Sequence, residues 1–173
     1  MRKGGSEVAS VHGPVAGYTV RSPMNNASTL CHGAFAGYHV ALASLGLMSR
    51  ISACRSTFWN ATVAADVDEV GVDVWLYRAW DLPFMTVDVG VSFGASLLRQ
   101  TLRTPGVARD RSSGAPSIAV GLGLSTELGR GFYPLVEVAA QTYLYRFEVQ
   151  SNGAATWTPS PALRLNAGLG KHW

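Results

Sequence analysis

The chain has 173 residues, of which 47% are hydrophobic and only 14% charged, with 19 glycines and a formal net charge of +3. Soluble domains carry about 25% charged residues, so this chain is short of the charge that ordinarily covers a water-facing surface. The length supports one domain with a sizeable core, and the composition excludes a disordered chain and a simple bundle of transmembrane helices. The small net charge and scattered basic residues, with no basic helix, exclude a nucleic-acid binder. Arg outnumbers Lys twelve to two. Arg keeps its charge when partly buried, which suits a polar interior, although genome base composition accounts for the bias equally well.

The N-terminus opens Met1-Arg2-Lys3 and continues Gly4-Gly5-Ser6-Glu7 where a secretory leader would need an apolar run, so no signal peptide is visible as written. The chain is then cytoplasmic, a mature form, a fragment, or the product of a misplaced start. Residues 8–22 can hold one strand and 33–57 two, with a turn near Ser44–Gly46. A helix over 33–48 competes for this stretch, which is mostly apolar, but at sixteen residues it is short for a membrane span of about 20. Cys31 and Cys54 match no zinc or redox spacing. If the three strands form, both cysteines fall at neighbouring strand ends on one face, where a disulfide fits, though two free thiols stay open.

From residue 70 onward the chain alternates. Val70, Val72, Val74 and Leu76 interleave with Gly71, Asp73, Trp75 and Tyr77; Met85 through Leu97 keep the same period over thirteen positions. Ile118–Leu124, 136–145 and 163–173 repeat it. Period two marks a strand with one apolar face. The connections 79–83 and 129–133 are short, whereas 102–116 and 150–160 are polar and rich in Gly, Pro and Ser, as in an up-and-down meander. Counting the first third, eight strands result, all antiparallel, in a single domain over 1–173 whose residues 1–32 are ill defined and open to truncation or misannotation.

On the last four strands the apolar faces carry no charge, while the opposite faces are Gly, Ser and Ala with isolated ionic groups. Small residues suit a narrow interior, and an uncharged row of Val, Leu, Ile and Phe suits lipid. Trp80, Phe132, Tyr133, Trp157 and Trp173 stand at strand ends, where interfacial girdles sit. Residues 61–173, and above all the closing strand Leu163-Arg164-Leu165-Asn166-Ala167-Gly168-Leu169-Gly170-Lys171-His172-Trp173, resemble the small eight-stranded bacterial outer-membrane β-barrels, the OmpA-like and OmpX-like group. The resemblance implies a transmembrane β-barrel in a Gram-negative outer membrane, lipid as its surroundings, and a terminal strand read by the barrel-assembly machinery. Phe is the usual last residue there; this chain has Trp173.

Asp73, Asp88, Glu137, Gln141, Arg164 and Asn166 all fall on the small face, with Arg50 joining them if the third strand forms. Charges in a narrow lumen must be paired, so these residues are expected to fill the barrel as an ion-pair network rather than line an ion pathway. Gly90-Val91-Ser92-Phe93-Gly94 matches a nucleophile elbow, with Glu127, Glu137 and His172 following, but the elbow needs a strained strand-to-helix turn. None of His12, His32, His39 and His172 forms a close His-x-Ser pair, so a lipid-modifying Ser/His hydrolase is set aside and no catalysis is inferred. Arg103, Arg109 and Arg111 can meet lipopolysaccharide phosphates or simply be solvated. Asp66, Asp68 and Glu69 form an acidic cluster without the pattern of a calcium loop. Val120-Gly121-Leu122-Gly123 leads into no phosphate-binding helix and reads as strand packing.

The expectation is an outer-membrane β-barrel with a structural or surface-binding role through its loops, with no cofactor or metal and an undefined surface ligand. Two alternatives stand beside it: a soluble lipocalin-like barrel with the apolar face lining a ligand cavity, and the C-terminal part of a larger porin.

Overall fold

A computed structural model describes residues 10–24, 28–61, 63–103, 110–148 and 155–173. They form eight strands: β1 Ser10–Arg21, β2 Cys31–Leu42, β3 Leu45–Trp59, β4 Ala64–Asp81, β5 Thr86–Leu102, β6 Arg111–Ser125, β7 Phe132–Glu148 and β8 Ala155–Lys171. Each pairs with the next, antiparallel, and β8 pairs with β1, so the sheet closes on itself. The larger-porin alternative is thereby corrected, because the ring closes with eight strands. The helix considered over 33–48 is replaced by β2, a two-residue turn and the start of β3. Ala43 takes a left-handed conformation there (φ 52°), and Gly37 pairs with Arg50 across the hairpin.

The strands run further than the sequence suggests. Residues 111–116 and 155–160, within the stretches 102–116 and 150–160 read as loops, belong to β6 and β8, and loop lengths at the two ends differ less than expected. Proline placement explains how strand persists there. β8 pairs with β1 only from Arg164 to Gly170, and the Leu163 N–H, pointing to the β1 side, donates to Ser22 Oγ at 2.8 Å. Pro159 and Pro161 share that parity and lie beyond the β1 pairing, where a missing N–H costs no ladder bond. Pro116 likewise lies just outside the β6–β7 register.

Side chains sort by parity. Val70, Val72, Val74 and Leu76 point outward and are exposed, whereas Glu69, Gly71 and Trp75 are buried inside. The outward face is uncharged over 70–76 on β4, 45–53 on β3, 89–97 on β5, 118–124 on β6, 136–144 on β7 and 163–169 on β8. Arg55, Asp68, Arg99 and Arg146 border this belt on the loop side, and Arg78 and Lys171 on the turn side. A lipocalin-like cavity lined by the Val, Leu and Phe face is therefore not what forms, since that face is the outside of the barrel. Trp80, Phe132, Trp157 and Trp173 are exposed at the rims as expected. Tyr133 is the exception: it turns inward and bonds His39 Nδ1 at 2.9 Å.

The interior packs in three layers. Near the turn side, Val15, Phe35, Met48, Trp75 and Leu135 form one apolar cluster with Tyr77 and Tyr133 against it. Near the loop side, Val67, Leu98, Ala115, Tyr143 and Ala162 form a second. Between them lies a polar layer. Glycines make the room it needs: a Cβ on Gly37 would come within 2.9 Å of Arg50 Cγ, and one on Gly90 within 2.7 Å of the Trp75 ring.

Candidate functional site

The polar layer is built by neighbouring inward positions on opposite walls. β3 supplies Arg50, β4 Asp73, β7 Glu137 and β8 Arg164 and Asn166. Arg50 donates through Nη2 to Asp73 Oδ1 at 2.6 Å and through Nη1 to Glu137 Oε2 at 2.6 Å. Arg164 returns to Asp73 Oδ2 at 3.2 Å and to Glu137 Oε1 at 3.4 Å. Two arginines and two carboxylates thus close a four-membered ring across the lumen, tying β3–β4 to β7–β8. Asn166 Nδ2 adds a bond to Glu137 Oε1 at 3.0 Å. Arg50, Glu137 and Arg164 are buried and the Asp73 side chain is only 9% exposed, so each charge depends on its partner for solvation.

A second pair sits toward the loops. Arg21 Nη2 meets Glu69 Oε2 at 2.5 Å, Tyr143 Oη donates to Glu69 Oε1 at 2.9 Å, and the Arg21 guanidinium lies over the Tyr143 ring at 5.1 Å. A small chamber of about 20 Å³, room for about one water, lies between the two clusters, lined by Arg21, Glu69, Asp73, Gln141 and Arg164 among others. The buried Arg21 Nε, Arg164 Nε, Gln141 Oε1 and Asn166 Oδ1 have no hydrogen-bond partner among the described residues. Arg21, Arg164 and Gln141 line that space, so its wall carries both donors and an acceptor in need of a partner, which suits water better than an ion of either sign.

Of the residues singled out from the sequence, Asp73, Glu137, Arg164 and Asn166 converge, joined by Arg50. Gln141 lies beside them and donates to Ser117 Oγ at 3.1 Å. Asp88 faces inward but stands apart: its carboxylate accepts from the Trp75 indole N–H at 3.4 Å. The Arg21–Glu69–Tyr143 cluster went unread. Glu69 looked like part of the acidic run 66–69, but strand alternation splits that run. Asp66 and Asp68 stay outside, bound to Arg103 at 2.5 Å and to Arg55 at 2.6 Å, so the three carboxylates do not gather around a cation. The Arg103 hydrogen bond holds the Asp66 carboxyl below its ordinary value. Period two was the signal that could have separated Glu69 from its neighbours.

Cys31 and Cys54 are joined as a disulfide, with Cα atoms 5.5 Å apart. Glu69 lies within 4.8 Å of both sulfurs, but with the sulfurs bonded to each other and Glu69 held by Arg21 and Tyr143, the trio is closed to a metal. Ser92 sits mid-strand in β5, opposite Trp75 and Ala119, without the strained turn a nucleophile elbow requires. Val120–Gly123 is ordinary strand in β6. Arg103 and Arg111 are exposed on the loop side; Arg109 lies outside the described residues.

Solved structures share this architecture. OprG from Pseudomonas aeruginosa superposes with a TM-score of 0.68 at 10% identity, over 95% of this chain and 96% of that one. The fold is that of the small eight-stranded outer-membrane β-barrels. A major outer membrane protein from Thermus thermophilus matches with a TM-score of 0.64 at 12% identity, over 95% and 100% of the two chains. The attachment invasion locus protein Ail of Yersinia pestis matches with 0.59 at 12%, over 94% and 98%. No protein-family model matches the sequence, and no curated protein does. At these identities the likeness concerns the fold alone.

Proposed function

We propose that the chain resides in a bacterial outer membrane as a closed barrel and serves there in a structural or surface-binding role through its loop-side surface, not by catalysis. The observation that carries this is the outward belt: uncharged and apolar on every strand from β3 to β8, bordered by charged and aromatic residues at both rims. Such a face in water would be an exposed patch far beyond what monomeric soluble proteins tolerate. In hydrocarbon it is the expected surface, because a closed barrel leaves no backbone edge unpaired. The disulfide agrees with an oxidising compartment.

The loop-side rim supports a role in contacting anions. Arg99 and Arg111 are exposed and form no ion pair among the described residues. Ail of Yersinia pestis has been solved in complex with the heparin analogue sucrose octasulfate, a polyanion on the same fold. The amphipathic β8, ending in Lys171, is the segment we assign to recognition by the assembly machinery.

The test is migration on electrophoresis with and without boiling, together with solubility. A folded membrane barrel shifts on heating and needs detergent. A chain fully soluble without detergent overturns the reading.

A further inference from the structure

The ring closes at its shortest ladder. β1 and β8 pair only from Val15–Gly170 to Arg21–Arg164, whereas β7 and β8 pair from Phe132–Lys171 to Glu148–Ala155. Beyond Gly170, on the turn side, the β1–β8 register stops. Two backbone bonds remain there, from the Trp173 N–H to the His12 carbonyl at 3.2 Å and from the His172 N–H to the Gly131 carbonyl at 2.8 Å.

Side chains take over the join, and three of the four histidines gather at it. His39 of β2 is 5% exposed and its Nδ1 shares a hydrogen bond with Tyr133 Oη of β7 at 2.9 Å. The His172 ring stacks on Tyr133 at 5.2 Å and stands edge-on to His39 at 6.3 Å. His12 Nδ1 bonds Tyr38 Oη at 2.7 Å, and its ring meets Trp173 edge-on at 6.1 Å. Two triplets, His39–Tyr133–His172 and Tyr38–His12–Trp173, thus lash β7, β1, β2 and the end of β8 together across the closure.

No counter-charge serves this cluster. The titratable groups facing His39 are His12 from β1, Tyr133 from β7 and His172 after β8, with Tyr77 of β4 against the same apolar cluster as Tyr133. Lys171 turns outward over the Phe132 and Trp173 rings, and Asp88 of β5 is turned to the Trp75 indole. The ion pairs of the described residues include none of these groups, nor Glu127, Arg130 or the Trp173 carboxylate. The charges that act on His39 are those of the other two histidines.

An imidazole in water takes up a proton near about pH 6.5. Neutral, His39 is an ordinary ring with one hydrogen bond to Tyr133. Charged, it is a buried cation without a carboxylate, facing two further groups that become cations in the same range. We propose that His39 is an acid-sensitive latch on the β1–β8 closure, shut while its ring is neutral and released at the turn-side end when His39, opposed by His172 and His12, is protonated. The released seam holds more protons than the shut one, so closure is fully present above about pH 6.5 and is lost as the pH falls below it. The latch depends on the closed ring and not on what the loop-side surface contacts.

The experiment is amide hydrogen exchange of the full chain in lipid vesicles at about pH 7.5 and about pH 5, corrected for the intrinsic pH dependence of exchange. Protection of residues 12–16 and 168–172 is read relative to residues 72–76 and 90–94 of β4 and β5. That ratio is expected to fall about tenfold in acid, which is what one proton taken up across one pH unit contributes. His39→Gln, which keeps a hydrogen-bonding side chain but takes no charge, is expected to hold the ratio constant. His32→Gln, at the exposed loop-side end of β2, is expected to keep the full fall. A ratio indifferent to pH in the unaltered chain overturns the latch, as does an undiminished fall in His39→Gln. Should His39→Gln fail to fold, His172→Gln removes the nearest opposing charge and is expected to reduce the fall; an undiminished fall there also overturns the proposal. Loss of the fall in Asp88→Asn would assign it to a carboxylate and overturn it equally.

Discussion

Glu137 and Val138 are consecutive residues of β7, yet one is 3% exposed and held by two arginines while the other is 50% exposed among uncharged neighbours. The same contrast repeats around the ring. The inner face gathers its arginines with Asp73, Glu137 and Glu69 in two adjoining clusters, where each finds a partner, and uses glycine to make space for long side chains. The outer face carries no charge through the belt and places its arginines at the rims. The comparison teaches that a barrel this narrow is an inverted globule: its polar groups are enclosed and its apolar ones displayed. What decides the side a residue meets is parity along the strand, not local composition.

The sharpest way to break the comparison is to remove a carboxylate from the inner layer. Glu137→Ala leaves Arg50 and Arg164 partly unpaired in a buried site and is expected to cost about 3–5 kcal/mol of unfolding free energy, read from urea unfolding in lipid vesicles. Adding charge outside comes next. Val120→Arg, at mid-belt, is expected to cost up to about 4 kcal/mol in lipid, whereas charge near the rim costs about 0–1 kcal/mol, so Leu97→Arg, at the loop-side edge of the belt, should be milder. Removing the disulfide by Cys31→Ser with Cys54→Ser opens a link spanning 23 residues and is expected to cost about 3 kcal/mol on the loop-entropy account, measured as a lowered unfolding midpoint.

The smallest effects belong to the exposed pairs. Asp68→Asn is expected to change stability by less than about 1 kcal/mol. The Asp66–Arg103 pair has a definite pH sign. Arg103 lowers the Asp66 carboxyl from its ordinary 3.8, so its contribution is complete above that value and fades as pH falls through the lowered one. Acid titration of the wild type against Arg103→Gln should show a difference at neutral pH that disappears in strong acid.

Strand identity was readable wherever apolar residues alternated with small ones, as at 85–97, and so was the inward side of Asp73, Glu137, Arg164 and Asn166. Arg50 and the Cys31–Cys54 bridge followed once β2 and β3 were placed. What escaped had physical causes. Gly, Pro and Ser at 111–116 and Pro and Ser at 155–160 looked like loop because strands above the belt need no apolar face, and proline is tolerated there beside an absent neighbour. Arg21 and Glu69 were missed because β1 lacks clean alternation and Glu69 is flanked by outward carboxylates. Tyr133 was read as a rim aromatic because position along the chain sets height, while only register reveals that it faces His39. Asp88 shares the inner parity but lies toward the turn end, beside Trp75, and forms no ion pair with an arginine among the described residues.

The central claim, that alternate residues of one strand meet lipid and the packed lumen, is tested most directly by a nitroxide scan of β5 from Val87 to Leu97 in bilayers. The account predicts that labels at 89, 91, 93, 95 and 97 relax strongly with dissolved oxygen and weakly with a water-soluble nickel complex, whereas those at 90, 92, 94 and 96 are immobilised and shielded from both. Water accessibility at the odd positions, or lipid exposure at the even ones, would contradict it.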